Sequence, residues 1–187
     1  MSVFCNLLLK KVKRDLDENK TAEVRELLKD LYEGKSLIDI GCTEDIPETT
    51  NTLEGNAKQK ADYVKEKYGY DCFADDTGLE VEALNGAPGV FTARYGGPEK
   101  DAQQNMNYLM DKLEKVGALE TSERGAQFRT AIHLIINGQE VGLEGVCSGH
   151  IAPIQSGTAG FGYDPVFIPN GEDRTFSEIS AEEKNSM

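Results

Sequence analysis

The chain has 187 residues, 39% of them apolar, enough for one domain with a full hydrophobic core. A formal net charge of −13 argues against a nucleic-acid or anionic-membrane surface, and no apolar run is long enough to span a bilayer. Four cysteines (Cys5, Cys42, Cys72, Cys147) and two histidines (His133, His150) show no metal-finger spacing, so neither a zinc site nor a disulfide framework is predicted and the cysteines read as buried thiols.

The opening MSVFCNLLLKKVKR has an apolar stretch too short for a secretory signal. Its charges follow that stretch and no small-residue cleavage site appears, so a cytoplasmic protein is expected. Residues 21–33 read as a helix, with Val24, Leu27, Leu28 and Leu31 at helical spacing and Gly34 to close it. A second helix is predicted over 52–68, striped by Leu53, Ala57, Ala61, Val64 and Tyr68 and followed by Gly69. Tyr70 to Ala74 reads as a buried strand, and Leu79, Val81 and Ala83 alternate with glutamates as a half-exposed one. A third helix spans 99–116 on Ala102, Met106, Leu109, Leu113 and Val116. A hairpin follows, with strands at Phe128–Ile136 and Glu140–His150 around a type I′ Asn137-Gly138 turn, then a short strand at 163–168. Helices alternate with strands but the hairpin is antiparallel, which predicts a mixed-sheet α/β fold in a single domain.

Four segments carry chemistry. In ADDTGLEV (74–81), Asp75 and Asp76 fall at a predicted strand end, where adjacent carboxylates attract a hard cation such as Mg²⁺; taken alone, such a pair is more often an acidic turn. Glu48 lies in the loop before the second helix and offers a further carboxylate. Thr52 suits a helix cap, and Glu54 and Asn56 lie near the helix start, where free backbone donors favour phosphate. In GFGYDPVF (160–167), Gly160 and Gly162 permit a tight backbone, Phe161 and Tyr163 offer faces to a purine or else core packing, and Asp164 can hydrogen-bond. Lys184, in the tail SAEEKNSM, can reach a base or phosphate or can lie solvated on a terminal helix.

Together these segments resemble the inosine triphosphate pyrophosphatase family, the non-standard purine nucleoside triphosphate pyrophosphatases. The resemblance runs over roughly residues 20–185, through EVRELL, DIPET, the NA..KA helix, ADDTGLEVEALNGAPGVFTARYGG, FGYDPVFIPNG, TFSEIS and EEKN, in matching order and spacing. It implies an elongated twisted mixed sheet flanked by helices, two lobes around a nucleotide cleft, and a homodimer. It implies hydrolysis of inosine, deoxyinosine or xanthosine triphosphate to monophosphate and pyrophosphate with Mg²⁺. Glu48, Asp76 and Asp75 correspond to the metal-associated carboxylates, with Asp76 best placed to activate water. Thr77, Phe161, Gly162, Tyr163, Asp164 and Lys184 correspond to substrate-binding positions, the two aromatics as the base-stacking pair.

Two departures accompany the match. The family's Thr/Ser-x-Asn-x-x-Lys phosphate loop aligns its lysine with Lys20, but its Thr and Asn with Asp15 and Asp17, whose charge would repel a triphosphate. Placing VFCN (3–6) on the first strand instead leaves Lys10 or Lys11 for the phosphates. At the other end, the family continues past EEKN to a Ser-His-Arg segment that reads the purine 6-oxo group, which the residues up to Met187 do not contain; reduced discrimination between inosine and adenosine triphosphate is expected. Two readings therefore stand: a Mg²⁺-dependent pyrophosphohydrolase, or a catalytically weak nucleotide-binding protein of the same fold.

Overall fold

The computed structural model describes residues 35–180, 183 and 184. The helix expected at 21–33, the alternative strand at 3–6, and Cys5, Lys10, Lys11 and Lys20 lie outside these residues.

Among the described residues, two helices and five strands follow in the order α1 (Leu53–Tyr68), β1 (Cys72–Val81), β2 (Pro88–Gly89), α2 (Ala102–Lys115), β3 (Gly125–Ile136), β4 (Gln139–Ile151) and β5 (Phe167–Pro169). The strands form one sheet in the order β2-β1-β3-β4-β5. β1 pairs antiparallel with β2, Leu79 opposite Gly89, and β4 pairs antiparallel with β5, Ile151 opposite Phe167. The α/β class is as expected. The described residues divide into two compact units, one holding those up to Asp76 with Thr130–Gly145, the other Thr77–Arg129 with those from Val146.

In the first unit, α1 starts where Thr52 Oγ1 accepts the Gly55 N–H at 3.0 Å and ends at Gly69, whose N–H bonds the Lys65 carbonyl at 3.0 Å. Leu53, Ala57, Ala61 and Val64 are buried as the stripe predicts, but Asn56 and Lys60 are buried too. Tyr68, expected on the stripe, is half-buried and donates its hydroxyl to Glu44 at 2.6 Å. The core joins Ala61 and Val64 to Leu37, Cys42, Cys72, Ala74 and Ile135. Cys42 and Cys72 are buried thiols, and burial pushes the Cys72 thiol up to about 11. At the hairpin, Asn137 (φ 50°) and Gly138 (φ 75°) both take the left-handed conformation that a type I′ turn requires.

In the second unit, Asp101 caps α2 by accepting the Gln104 N–H at 2.7 Å, and Met106, Leu109 and Leu113 are buried. Ala102 and Val116, the two ends of the predicted stripe, are exposed: Ala102 is the first residue of the helix and Val116 its C-cap, beyond the last packed turn. The core gathers Leu79, Val81, Leu109, Leu113, Ile151, Val166 and Phe167, and Phe128, Phe167 and Phe176 pack in series as tilted rings with centroids 4.7 and 5.0 Å apart.

Three expectations need correction. Tyr70 is exposed and precedes the strand, which begins at Cys72. The two strands expected around Asp75 and Asp76 are one ten-residue strand, β1, and Ala83 lies beyond it in a short 3₁₀ turn. The last strand begins at Phe167 rather than 163, since the Val166 N–H returns to the Tyr163 carbonyl and keeps that stretch a turn.

Candidate active site

The first unit assembles a carboxylate–lysine cluster. Asp75 and Asp76 lie inside β1, not at a strand end. Asn56 and Lys60, four residues apart, share one face of α1, and both reach Asp76. Asn56 Nδ2 donates to Asp76 Oδ2 at 3.0 Å, and Lys60 Nζ donates to Asp76 Oδ1 at 3.2 Å and to Glu48 Oε1 at 3.1 Å. Thr50 fixes the Asn56 amide, since its N–H and its hydroxyl both donate to Asn56 Oδ1, at 3.1 and 2.9 Å. The Lys60, Glu48 and Asp76 side chains are only 8%, 14% and 17% exposed.

The electrostatics follow. Burial lifts Asp76 above the usual carboxylate range, although Lys60 and Asn56 pull the other way. Burial also works against the Lys60 charge, but Asp76, Glu48 and Asp75 outweigh it and hold the ammonium above its ordinary value. Three carboxylates against one ammonium leave an excess of negative charge that would repel a polyphosphate. Two carboxylates already converging on one cation form a donor set that suits Mg²⁺, which takes one or two carboxylates and completes its shell with water and phosphate oxygens. The residues present therefore fit a hard divalent ion.

The second unit carries the aromatic turn. Asp164, itself buried, accepts the Phe161 N–H at 3.0 Å and the Lys184 ammonium at 2.8 Å on the same oxygen. Gly160 sits at φ +83°, and a Cβ there would lie 2.2 Å from Asp164 Oδ2, so the turn closes on its carboxylate only with glycine. Gly162 follows at φ +61°. The Phe161 ring is 63% exposed, and the Lys184 ammonium stands 5.3 Å from its centroid and 4.4 Å from that of Phe176. Thr77 is exposed on β1.

Tyr163 departs from its expected role. It is 4% exposed, packs in the core with Leu79, Val166 and Phe167, and donates its hydroxyl to the Thr92 carbonyl at 3.1 Å. Thr92 in turn takes the Leu79 N–H on its hydroxyl at 2.8 Å. The burial of Tyr163 leaves Phe161 as the exposed aromatic of the turn. Tyr163→Ala is accordingly expected to cost about 3–5 kcal/mol of stability, in the range for aromatic truncation in a core. Urea unfolding checks this, and a loss below about 1 kcal/mol would return Tyr163 to a surface role.

Sequence reasoning included Asn56 and Lys60 in the NA..KA match but gave Lys60 no role and placed Asn56 only near the helix start. The available signal was two polar side chains, four apart, interrupting the apolar stripe of a helix otherwise buried along that face.

The fold and the two clusters define an α/β protein with a cation-demanding carboxylate set and, separately, an aromatic turn held by a buried aspartate paired with a half-buried lysine. The chain belongs to the Ham1 family, whose profile matches residues 17–187. It is 51% identical over 171 residues to the dITP/XTP pyrophosphatase of Flavobacterium johnsoniae, covering 91% of this chain and 86% of that one. It is 41% identical over 170 residues to the Bacillus subtilis protein of the same name, covering 90% and 84%. Among solved structures, the nucleoside-triphosphatase/dITP/XTP pyrophosphatase of Mycobacterium abscessus superposes with a TM-score of 0.77 at 38% identity, over 93% of this chain and 89% of that one. A HAM1 protein from Coxiella burnetii gives 0.83 at 34%, over 97% and 91%.

Proposed function

We propose that this protein hydrolyses dITP, ITP and XTP to the monophosphate and pyrophosphate, removing non-standard purines from the nucleotide pool. The observation that carries this reading is the Glu48–Lys60–Asp76 cluster, with its lysine buried and its carboxylates mostly so, in a chain half identical to a dITP/XTP pyrophosphatase. Water adds across the anhydride between the α and β phosphates, its proton passes to a base, and pyrophosphate leaves.

Asp76 orients that water and accepts its proton. Lys60 and Asn56 hold both of its oxygens in place. Glu48 and Asp76 would hold Mg²⁺ with Asp75 beside them, and the ion would supply neutralisation of the polyphosphate charge. Lys20 is assigned to the phosphates. In the second unit, Phe161 stacks on the purine, Gly162 lets the backbone approach, and Asp164 and Lys184 read its polar edge. Thr77 contributes a hydroxyl to the substrate.

Turnover of ITP followed by pyrophosphate release, with and without Mg²⁺, tests the reading; tight ITP binding without turnover would leave only a nucleotide-binding protein. Phe161→Ala is expected to weaken purine triphosphate binding by about 1–3 kcal/mol while inorganic triphosphate binds as before. Competitive inhibition constants for the two ligands check this, and equal losses would remove Phe161 from the base site.

A cytoplasmic homodimer completes the proposal. No helix among the described residues is long and apolar enough to cross a membrane. Sedimentation equilibrium reads the assembly, and a monomer mass at working concentration would overturn the dimer.

A further inference from the structure

A second set of metal-ligating side chains lies in the first unit, built from residues the proposed reaction does not use. Asp62 on α1, His133 on β3 and Glu140 on β4 each offer one donor atom, all within 4.8 Å of one another. His133 Nε2 and Glu140 Oε2 are 3.2 Å apart. A tetrahedral ion with metal–nitrogen and metal–oxygen bonds of about 2.0–2.2 Å places its ligand atoms roughly 3.3–3.6 Å apart. One edge of that polyhedron is therefore nearly in place, and closing the other two takes about 1 Å of side-chain movement.

The side chains that must move are the ones free to do so. Asp62 and Glu140 are 37% and 50% exposed, whereas the His133 imidazole is 13% exposed and set among its neighbours. The backbone beneath Glu140 is tethered: the Asn137 N–H donates to Asp71 Oδ2 at 3.0 Å, and Lys65 holds the other Asp71 oxygen at 2.7 Å.

Independently of the spacing, a cation already uses this position. Lys58 Nζ lies 2.5 Å from the same Glu140 oxygen and 3.1 Å from Asp62 Oδ1. The two carboxylates are thus arranged around a positive charge supplied by a long side chain that is itself 45% exposed and can swing aside.

We propose that Asp62, His133 and Glu140 bind a borderline divalent transition ion of the zinc class, which displaces the Lys58 ammonium and takes water as a further ligand. One imidazole with two carboxylates selects such an ion over Mg²⁺, which prefers oxygen alone. The bound ion ties α1 to the β3–β4 hairpin, and its effect is on the stability of this unit. The inference does not depend on the proposed hydrolysis.

The test uses the full chain, stripped with chelator and then held in excess Mg²⁺ so that hard-ion sites are filled. Cobalt(II) is titrated in by visible absorption and zinc(II) by calorimetry. The expected result is one equivalent with tetrahedral cobalt bands lacking intense thiolate charge transfer, and a zinc-dependent rise in Tm. His133→Ala should weaken that equivalent roughly 100-fold, and Lys58→Met should tighten it roughly three- to tenfold, since only exposed ion pairs are removed with the ammonium. If His133→Ala fails to fold, Glu140→Gln on the exposed strand should give the same loss. Unchanged binding in the folded ligand variants would overturn the proposal. Thiolate charge transfer would do so too, by placing the ion on cysteine.

Discussion

Asp76→Asn is expected to lower kcat/KM for ITP by about 10²–10⁴, the range for loss of a positioned general base. The exchange is isosteric and removes one negative charge from the set that would hold Mg²⁺. Its surroundings make the outcome sharper than isosterism suggests. Both oxygens of Asp76 receive donors, from Asn56 and from Lys60. Whichever way the introduced amide turns, its NH₂ meets one of them. Asn56 cannot flip to accommodate it, because its carbonyl oxygen already accepts twice from Thr50. The fold should therefore survive with a modest penalty, of about 1–3 kcal/mol, while turnover nearly vanishes. Pyrophosphate release gives the rate and urea unfolding the penalty. Wild-type turnover in a folded variant would remove Asp76 from the chemistry.

The sequence made the helices and the hairpin legible because each carries its own local signal. Thr52 and Gly69 bracket α1, Asp101 caps α2, and Asn137-Gly138 is one of the few pairs that accept two left-handed residues in a row. β1 was legible only in halves. Cys72 and Ala74 are buried at even positions, while Leu79 and Val81 are buried at odd ones, so the inward face changes parity across Asp75–Gly78. A pattern of period two cannot run through such a change, and the aspartates at the break looked like a loop. The candidate site was legible in its acidic members and in Asp164 and Lys184. Lys60 was hidden because a lysine on a helix ordinarily points to water. Nothing in the one-dimensional pattern says that two carboxylates await it at Glu48 and Asp76. Tyr163 and Phe161 were indistinguishable in sequence, being aromatic neighbours around a glycine. Only packing assigns one ring to the core and the other to the surface.

Lys60→Met is expected to be the most informative change in the cluster, because it separates the protein's own cation from the proposed metal. Met retains most of the length of the apolar stem and removes the charge. Without the ammonium, Glu48 and Asp76 face each other in a site where both are mostly buried, and breaking a buried pair from one side typically costs about 3–5 kcal/mol. In chelator, unfolding should show a loss of that order. Mg²⁺ should then restore much of it, since an ion present at 100 times its Kd stabilises by about 2.7 kcal/mol. In the wild-type chain the same ion shares the two carboxylates with Lys60, so the Mg²⁺-dependent rise in Tm should be clearly smaller. Turnover should still fall about 10–100-fold in saturating Mg²⁺, the usual consequence of removing a group that orients metal-associated carboxylates. The two measurements together carry the argument. Equal Mg²⁺ effects on the Tm of both proteins would mean that Glu48 and Asp76 are not the ion's ligands. Full activity in the variant would mean that Lys60 stabilises the fold but does not set the geometry in which Asp76 works.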